Sequence, residues 1–393
     1  MKTFPFSRWM VIIVMVLSSS VCAQYFGRNK VQYENFDFRV LETENFHVYY
    51  YPQEREPAVD AGRMLERWNV RFQEVFDFKL KEMQPLILYA NHPDFQQTNV
   101  ISGLISQGTG GVTEGMKNRI VLPLTGAYSE NNHVIGHELV HAFQFDIMRR
   151  LQEKRMLVRN QHVPLWFIEG MAEYLSLGST NALTAMWLRD AVLNDNVPDF
   201  DDLARDPRYF PYRWGHAAWN YIGSRWGDQA VGRLLKQVFQ QGWDKAFQQV
   251  TGAPADSVSH QFKRDVEKAY RPQLQGRTRP GETGKPLLTG GQGMNLSPSL
   301  SPDGRYIAFL SQRDVFTIDL FLADAGSGKV IKKLVSSNTD THFDALQFMD
   351  ASGSWSPDGG RFAFVILENG DSRIALLNVS NQKIERKIAL PGV

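Results

Sequence analysis

The chain carries one cysteine, Cys22, among 393 residues. A disulfide framework is excluded, so the fold must be held by its apolar core and by any metal it binds. Neither charge is in excess: 43 Lys and Arg stand against 42 Asp and Glu. The net charge of +1 gives no reason to expect nucleic acid or an anionic membrane surface as a partner. Long apolar runs are nearly absent too. The run at residues 9–17 falls short of the about 20 residues that a membrane-spanning helix needs.

That run has a recognisable setting. Lys2 and Arg8 give a basic start, Ser18-Ser19-Ser20 follows the apolar stretch, and Val21-Cys22-Ala23 offers small residues for cleavage. This is the pattern of a secretory signal peptide over residues 1–23, with cleavage expected after Ala23. A membrane anchor is expected only if the segment stays uncleaved. Acylation of Cys22 is disfavoured, because Val21 stands where a small residue is preferred. The expected location is secreted or periplasmic, at the cell envelope.

The rest is ordinary for a globular protein, with 43% hydrophobic and 22% charged residues. A chain of this length is expected to form two domains. Phe46, Val48 and Tyr50 alternate with His47 and Tyr49, which reads as a strand. Leu65, Trp68, Phe72, Val75 and Phe76 make an apolar stripe at helical spacing over residues 57–76. Residues 85–90 and 119–124 read as short strands, the second placed at a sheet edge by Pro123. Residues 108–115 form a Gly-rich loop or strand without the Gly-Lys-Ser/Thr ending of a phosphate-binding loop. A long helix is expected from Ser129, as N-cap, to about Arg150. Another should open at Pro164 and stop at Gly178. Residues 181–270 read as mainly helical, and residues 271–293 as a Gly- and Pro-rich linker.

The chemistry concentrates in His137-Glu138-Leu139-Val140-His141. On a helix, residues four apart share a face, so the two imidazoles can converge on one metal ion. Glu138 is then placed to reach a water on that metal. Two histidines do not complete a catalytic zinc site, which needs three protein ligands and one open position. The segment Trp166-Phe167-Ile168-Glu169-Gly170-Met171-Ala172-Glu173-Tyr174 supplies two acids four apart in apolar surroundings. Buried carboxylates without a charge partner are costly, and a cation would offset that cost. His133, one turn earlier, reads as a helix-start residue, since a fourth ligand would close the water position.

Residues 137–173 resemble the gluzincin superfamily of zinc peptidases, and the phrase WFIEGMAEY is similar to its peptidase MA-like members. The resemblance implies an α+β zincin-type metallopeptidase domain over residues 24–270, with a strand-bearing lobe and a helical lobe. It implies one Zn2+ ion held by His137, His141 and Glu169, Glu138 as general base, and Glu173 behind a ligand histidine. Pro211-Tyr212-Arg213-Trp214-Gly215 resembles the P-Y-x-K-G segment of the aminopeptidase branch, with Trp214 in place of Lys. By that likeness Tyr212 would donate to the oxyanion, with His216 as the alternative donor. Gly110-Gly111-Val112-Thr113-Glu114 stands where that branch has G-x-M-E-N, which implies Glu114 as an anchor for a substrate amino group. The implied activity is hydrolysis of peptide bonds in a peptide or protein substrate, with residues 119–124 holding an extended peptide by strand addition.

A different pattern follows the linker. Residues 301–309, SPDGRYIAF, return as residues 356–364, SPDGGRFAF, after 55 positions. The Pro-Asp-Gly turns before alternating apolar residues are hairpin signals. The repeat resembles the blades of TolB-like β-propellers, so residues 294–393 are expected to form two blades of an incomplete all-β propeller. Two blades cannot close a ring that takes at least four. Either the native chain continues past Val393 or the blades pair with something else. A second function class follows: a cell-envelope binding or scaffold protein that meets a protein partner through the propeller, with a structural or relict metal site.

Overall fold

The computed structural model describes residues 35–389 apart from 102, 104, 106–107, 126, 158–162, 288–293, 314–317, 337–344, 347–352 and 369–370. The expected signal segment and part of the expected linker lie outside the described residues. Those described divide into two compact units, residues 1–273 and 274–393. Among them, no helix is long and apolar enough to cross a membrane.

The first unit is built on a five-stranded sheet. Its strands are β1 (Arg39–Glu42), β2 (Phe46–Tyr50), β3 (Gln84–Tyr89), β4 (Val112–Glu114) and β5 (Arg119–Pro123). They lie in the order β1-β2-β3-β5-β4, with β2, β3 and β5 parallel and the outer strands antiparallel to their neighbours. Between the strands, α1 (Arg55–Phe76) and the short α2 (His92–Gln96) are inserted. Helix α3 (Tyr128–Glu153) follows the sheet, and α4 (Leu165–Leu177) follows α3. The unit ends in α5 (Ala182–Leu193), α6 (Phe200–Arg205), α7 (Pro211–Trp226), α8 (Asp228–Gln241), α9 (Trp243–Thr251) and α10 (Ala255–Tyr270).

The alternation in β2 is literal: Phe46 and Val48 are fully buried, while His47 and Tyr49 are half-exposed. The apolar stripe of α1 meets α3, where Phe76 stacks on Phe143 at 5.4 Å and Phe72 meets it edge-on at 6.0 Å. Helix α3 begins at Tyr128, one residue before the expected Ser129 cap, and its N-cap Ala127 makes no side-chain bond. Asn131 secures the entry instead, its side chain accepting from the Thr125 amide at 3.0 Å. Pro164 and Gly178 do bracket α4, as N-cap and as a positive-φ C-cap.

Pro123 does not mark the sheet edge. Strand β5 lies between β3 and β4, and β4 is the edge. Strand β4 is so short that it pairs only with Arg119 to Val121. Pro123, paired with Tyr89 on the other side, therefore faces no partner that would need its missing N–H.

In the second unit, β6 (Asn295–Leu300), β7 (Tyr306–Ser311), β8 (Asp319–Asp324) and β9 (Val330–Val335) form an antiparallel four-stranded meander. A second sheet orders β10 (Ala345–Leu346), β12 (Arg361–Glu368), β13 (Asp371–Asn378) and β14 (Lys383–Ala389), with β11 (Ser354–Trp355) also on β12. Both repeats build the same turn. The Ser301 hydroxyl accepts from the Tyr306 amide at 2.9 Å, and Ser356 accepts from Arg361 at the same distance. Gly304 and Gly359 take φ values of 71° and 69°, which a side chain would oppose. The two sheets share one apolar core that includes Leu310, Leu322, Phe362 and Phe364. The Trp355 indole donates to the Ser299 carbonyl across them at 3.0 Å. Among the described residues they do not close into a ring.

Candidate metal centre

Helix α3 presents His133, His137 and His141 on one face, at four-residue spacing. It is held close to its neighbours by Gly136, where a Cβ would meet the Trp68 ring at 2.8 Å. Helix α4 brings Glu169 and Glu173 against that face. Helix α7 crosses α4 at Gly170 and Gly215, so closely that a Cβ on Gly170 would fall 2.2 Å from the Gly215 Cα. This crossing carries Tyr212 and Arg213 to the same place.

The His137 and His141 Nε2 atoms are 3.2 Å apart. Glu169 Oε2 lies 3.3 Å from the first and 3.2 Å from the second. A tetrahedral zinc with bonds of about 2.0–2.1 Å spaces its ligand atoms about 3.3 Å apart. The three atoms therefore form the triangular base of such a site and leave its fourth corner free. These residues fit one zinc ion.

The outer nitrogens are fixed as metal ligation requires. His137 Nδ1 lies 3.1 Å from Glu173 Oε1. His141 Nδ1 lies 2.8 Å from Gln144 Oε1, and the Gln144 amide donates to the Ile168 carbonyl at 3.1 Å. A proton on each Nδ1 satisfies these contacts and leaves both Nε2 lone pairs directed at one point. Glu173 also receives Arg213 at 3.1 Å and lies 3.4 Å from His133 Nε2. His133 Nδ1 lies 3.0 Å from the Ser176 hydroxyl.

The electrostatics call for a cation. Burial opposes charge on His137, yet Glu169 and Glu173 outweigh it and push the imidazole up to about 10. Burial would raise Glu169, yet His137 and His141 hold it down to about 2. Glu173 is likewise held below the ordinary carboxylate range, burial being outweighed by His133 and His137. Without a metal, a buried histidine serves as the positive charge that the acids demand.

Glu138, 6% exposed, sits between α3 and the edge strand. The Thr113 hydroxyl lies 2.7 Å from the Glu138 carboxylate and 2.8 Å from the Glu138 backbone carbonyl. A Cβ on Gly111 would touch the Glu138 side chain at 3.0 Å, so glycine lets the strand close on it. Tyr212 stacks on the His137 ring at 5.8 Å and 13°, with its hydroxyl in reach of Glu169. Burial, then the nearby carboxylates, push its phenol far above the usual value. It therefore keeps its proton at neutral pH.

Two expected residues lie elsewhere. Glu114 follows Thr113 on β4, so its side chain leaves the opposite face of the sheet. There its cross-strand neighbour Arg119 donates to it at 2.6 Å. It does not join the metal centre, and its charge is already answered. His216 is buried, with Nε2 2.9 Å from the Gly178 carbonyl, and burial lowers its pKa. The ring proton on Nε2 is donated to the Gly178 carbonyl. Of residues 119–124, expected at the sheet edge, Arg119 to Val121 are covered by β4, which forms the edge in their place. Gln144, Arg213, Thr113 and Gly111 were given no role from the sequence. Gly111, Thr113 and Arg213 lay within segments already singled out, and Gln144 stands three residues after His141 on the same helix face.

Comparison with known proteins adds little here. No family model matches the chain, and no curated protein does. Among solved structures it is similar to TolB from Acinetobacter baumannii, 22% identical over 34% of this chain and 37% of that one, with a TM-score of 0.22. It is also similar to a putative TolB from Agrobacterium tumefaciens, 25% identical over 26% of this chain and 36% of that one, with a TM-score of 0.20. The chain spans little more than a third of either structure's length.

Proposed function

We propose that this protein is a secreted or periplasmic zinc metallopeptidase of the gluzincin type, hydrolysing peptide bonds. The observation that carries the reading is the His137–His141–Glu169 triangle, with a buried acid, Glu138, near enough to act electrostatically on His137 and Tyr212. The signal-peptide-like pattern of residues 1–23 in the sequence supports the location. A zinc ion held there would supply Lewis acidity to a scissile carbonyl and acidify water in the open position.

The chain's own groups do the remainder. Edge strand β4, with no strand on its outer side among the described residues, offers its backbone groups to an extended peptide, as strand addition requires. Glu138 takes a proton from the attacking water and returns it to the leaving amine. The Thr113 hydroxyl holds that carboxylate in place. Tyr212, protonated and stacked against a ligand histidine, donates to the oxyanion as it forms. Glu173 and Gln144 keep both imidazoles aimed.

A scaffold protein with a structural metal site is the other reading, and the C-terminal sheets favour it. Against it stands Glu138, buried and braced by Thr113 and Gly111, which a structural site would not need. A peptide-library digest of wild type and Glu138→Gln, with zinc content measured in both, separates the two. The expected result is equal zinc and a loss of cleavage on the order of 10²–10⁴-fold. Cleavage that survives the substitution would overturn the mechanism.

A further inference from the structure

An apolar surface beside the centre has no part in the chemistry above. Phe210, the residue before α7, is 46% exposed. One face of its ring stacks on Tyr212 at 5.1 Å and 25°, and Tyr212 in turn stacks on His137. Trp187 of α5 approaches the same ring at 6.1 Å, tilted by 44°. Leu183 lies one turn from Trp187 on the same helix face, with Met186 beside it, and these are 51% and 49% exposed. Rings thus run from a ligand histidine outward through Tyr212 and Phe210 to Trp187. By contrast Trp166, Phe167 and Trp219 of the same unit are fully buried. An open apolar shelf that adjoins a catalytic centre is a surface for a ligand.

We infer that Phe210 and Trp187 form the floor of a substrate subsite that takes a bulky apolar side chain flanking the scissile peptide bond. The inference rests on the peptidase reading and names the substrate class of that same site. An extended peptide with its carbonyl at the open corner projects its flanking side chains to either face of its backbone. A ring or branched aliphatic chain placed there would cover Phe210, whereas a charged one would lose water to an apolar floor without a partner.

Two peptides that differ only in Phe or Ala at the residue flanking the cut provide the test. Wild type should favour the Phe peptide in kcat/KM by roughly tenfold or more, the scale expected for burying an aromatic side chain. Phe210→Ala and Trp187→Ala should each shrink that ratio several-fold, while Phe210→Leu should largely keep it. A change that merely tilts Tyr212 would slow both peptides equally and leave the ratio alone. A ratio near one in wild type, or one unmoved by either alanine variant, would overturn the subsite. Should wild type cut neither peptide, the peptidase reading fails, and the subsite is decided by affinity. Zinc-loaded Glu138→Gln should bind the Phe peptide about tenfold more tightly than the Ala peptide, and equal affinity would overturn it.

Discussion

The two units bury different things. The second encloses an apolar core between two sheets, with Ser301, Ser311 and Asp319, which pairs with Lys333, as its buried polar groups among the described residues. The first encloses His137, Glu138, His141, Gln144, Asp146 and Glu173 along α3 and α4, each less than a tenth exposed. Burying so many polar groups costs stability unless each is matched. His137 pairs with Glu173 and His141 with Gln144, while Asp146 is matched by Arg149 and Arg150 and Glu138 by Thr113; what remains is a set of ligand atoms gathered at one point. The contrast teaches that the second unit is organised for its own folding, while the first carries a cost that folding alone does not explain.

The sharpest way to break that contrast is Glu169→Gln. It removes the only anionic corner of the triangle and leaves two neutral imidazoles. Zinc affinity should fall on the order of a hundredfold or more, measured by competition with a chelator. Affinity that stays within a few-fold of wild type would remove Glu169 from the ligand set.

A second effect concerns pH. In the metal-free protein, His137 is raised from 6.5 to about 10. Its contribution to stability is therefore complete below about 6.5 and lost as pH climbs through about 10. Glu169 is lowered from 4.5 to about 2. Its contribution is present above about 4.5 and lost as pH falls through about 2. The metal-free protein should be most stable between about 4.5 and 6.5. Zinc displaces the His137 proton, so the Tm gap between zinc-loaded and metal-free protein should widen on the alkaline side. Melting curves across the range check this, and a gap that narrows as pH rises would refute it.

The smallest effect lies in the second unit. Gly359 sits at φ 69° in the repeated turn, where alanine costs about 1 kcal/mol. Gly359→Ala should lower the melting of that unit by a few degrees. It should leave zinc content unchanged, and a loss of zinc would join the two units functionally.

The sequence made some of this legible and hid the rest, for physical reasons. Four-residue spacing on a helix is a local rule, so His137 with His141 and Glu169 with Glu173 could be paired on paper. The SPDG turns were equally local, and both repeats close with the same hydrogen bonds. What brings α4 to α3, and Thr113 to Glu138, is set by long-range packing. Gly170 against Gly215, and Gly111 against Glu138, show no periodicity to read. Strand order misled most. Pro123 suggested an edge because its missing N–H must be accommodated, yet the shortness of β4 achieves that inside the sheet. Glu114 failed for a related reason: alternation along β4 sends Thr113 to the centre and its neighbour away.

X-ray absorption at the zinc edge of the purified protein tests the central claim most directly. One zinc per chain is expected, with two imidazoles and light oxygen ligands at about 2.0–2.1 Å in fourfold coordination. A protein that holds no zinc, or a zinc with three or more imidazoles and no open position, would contradict it.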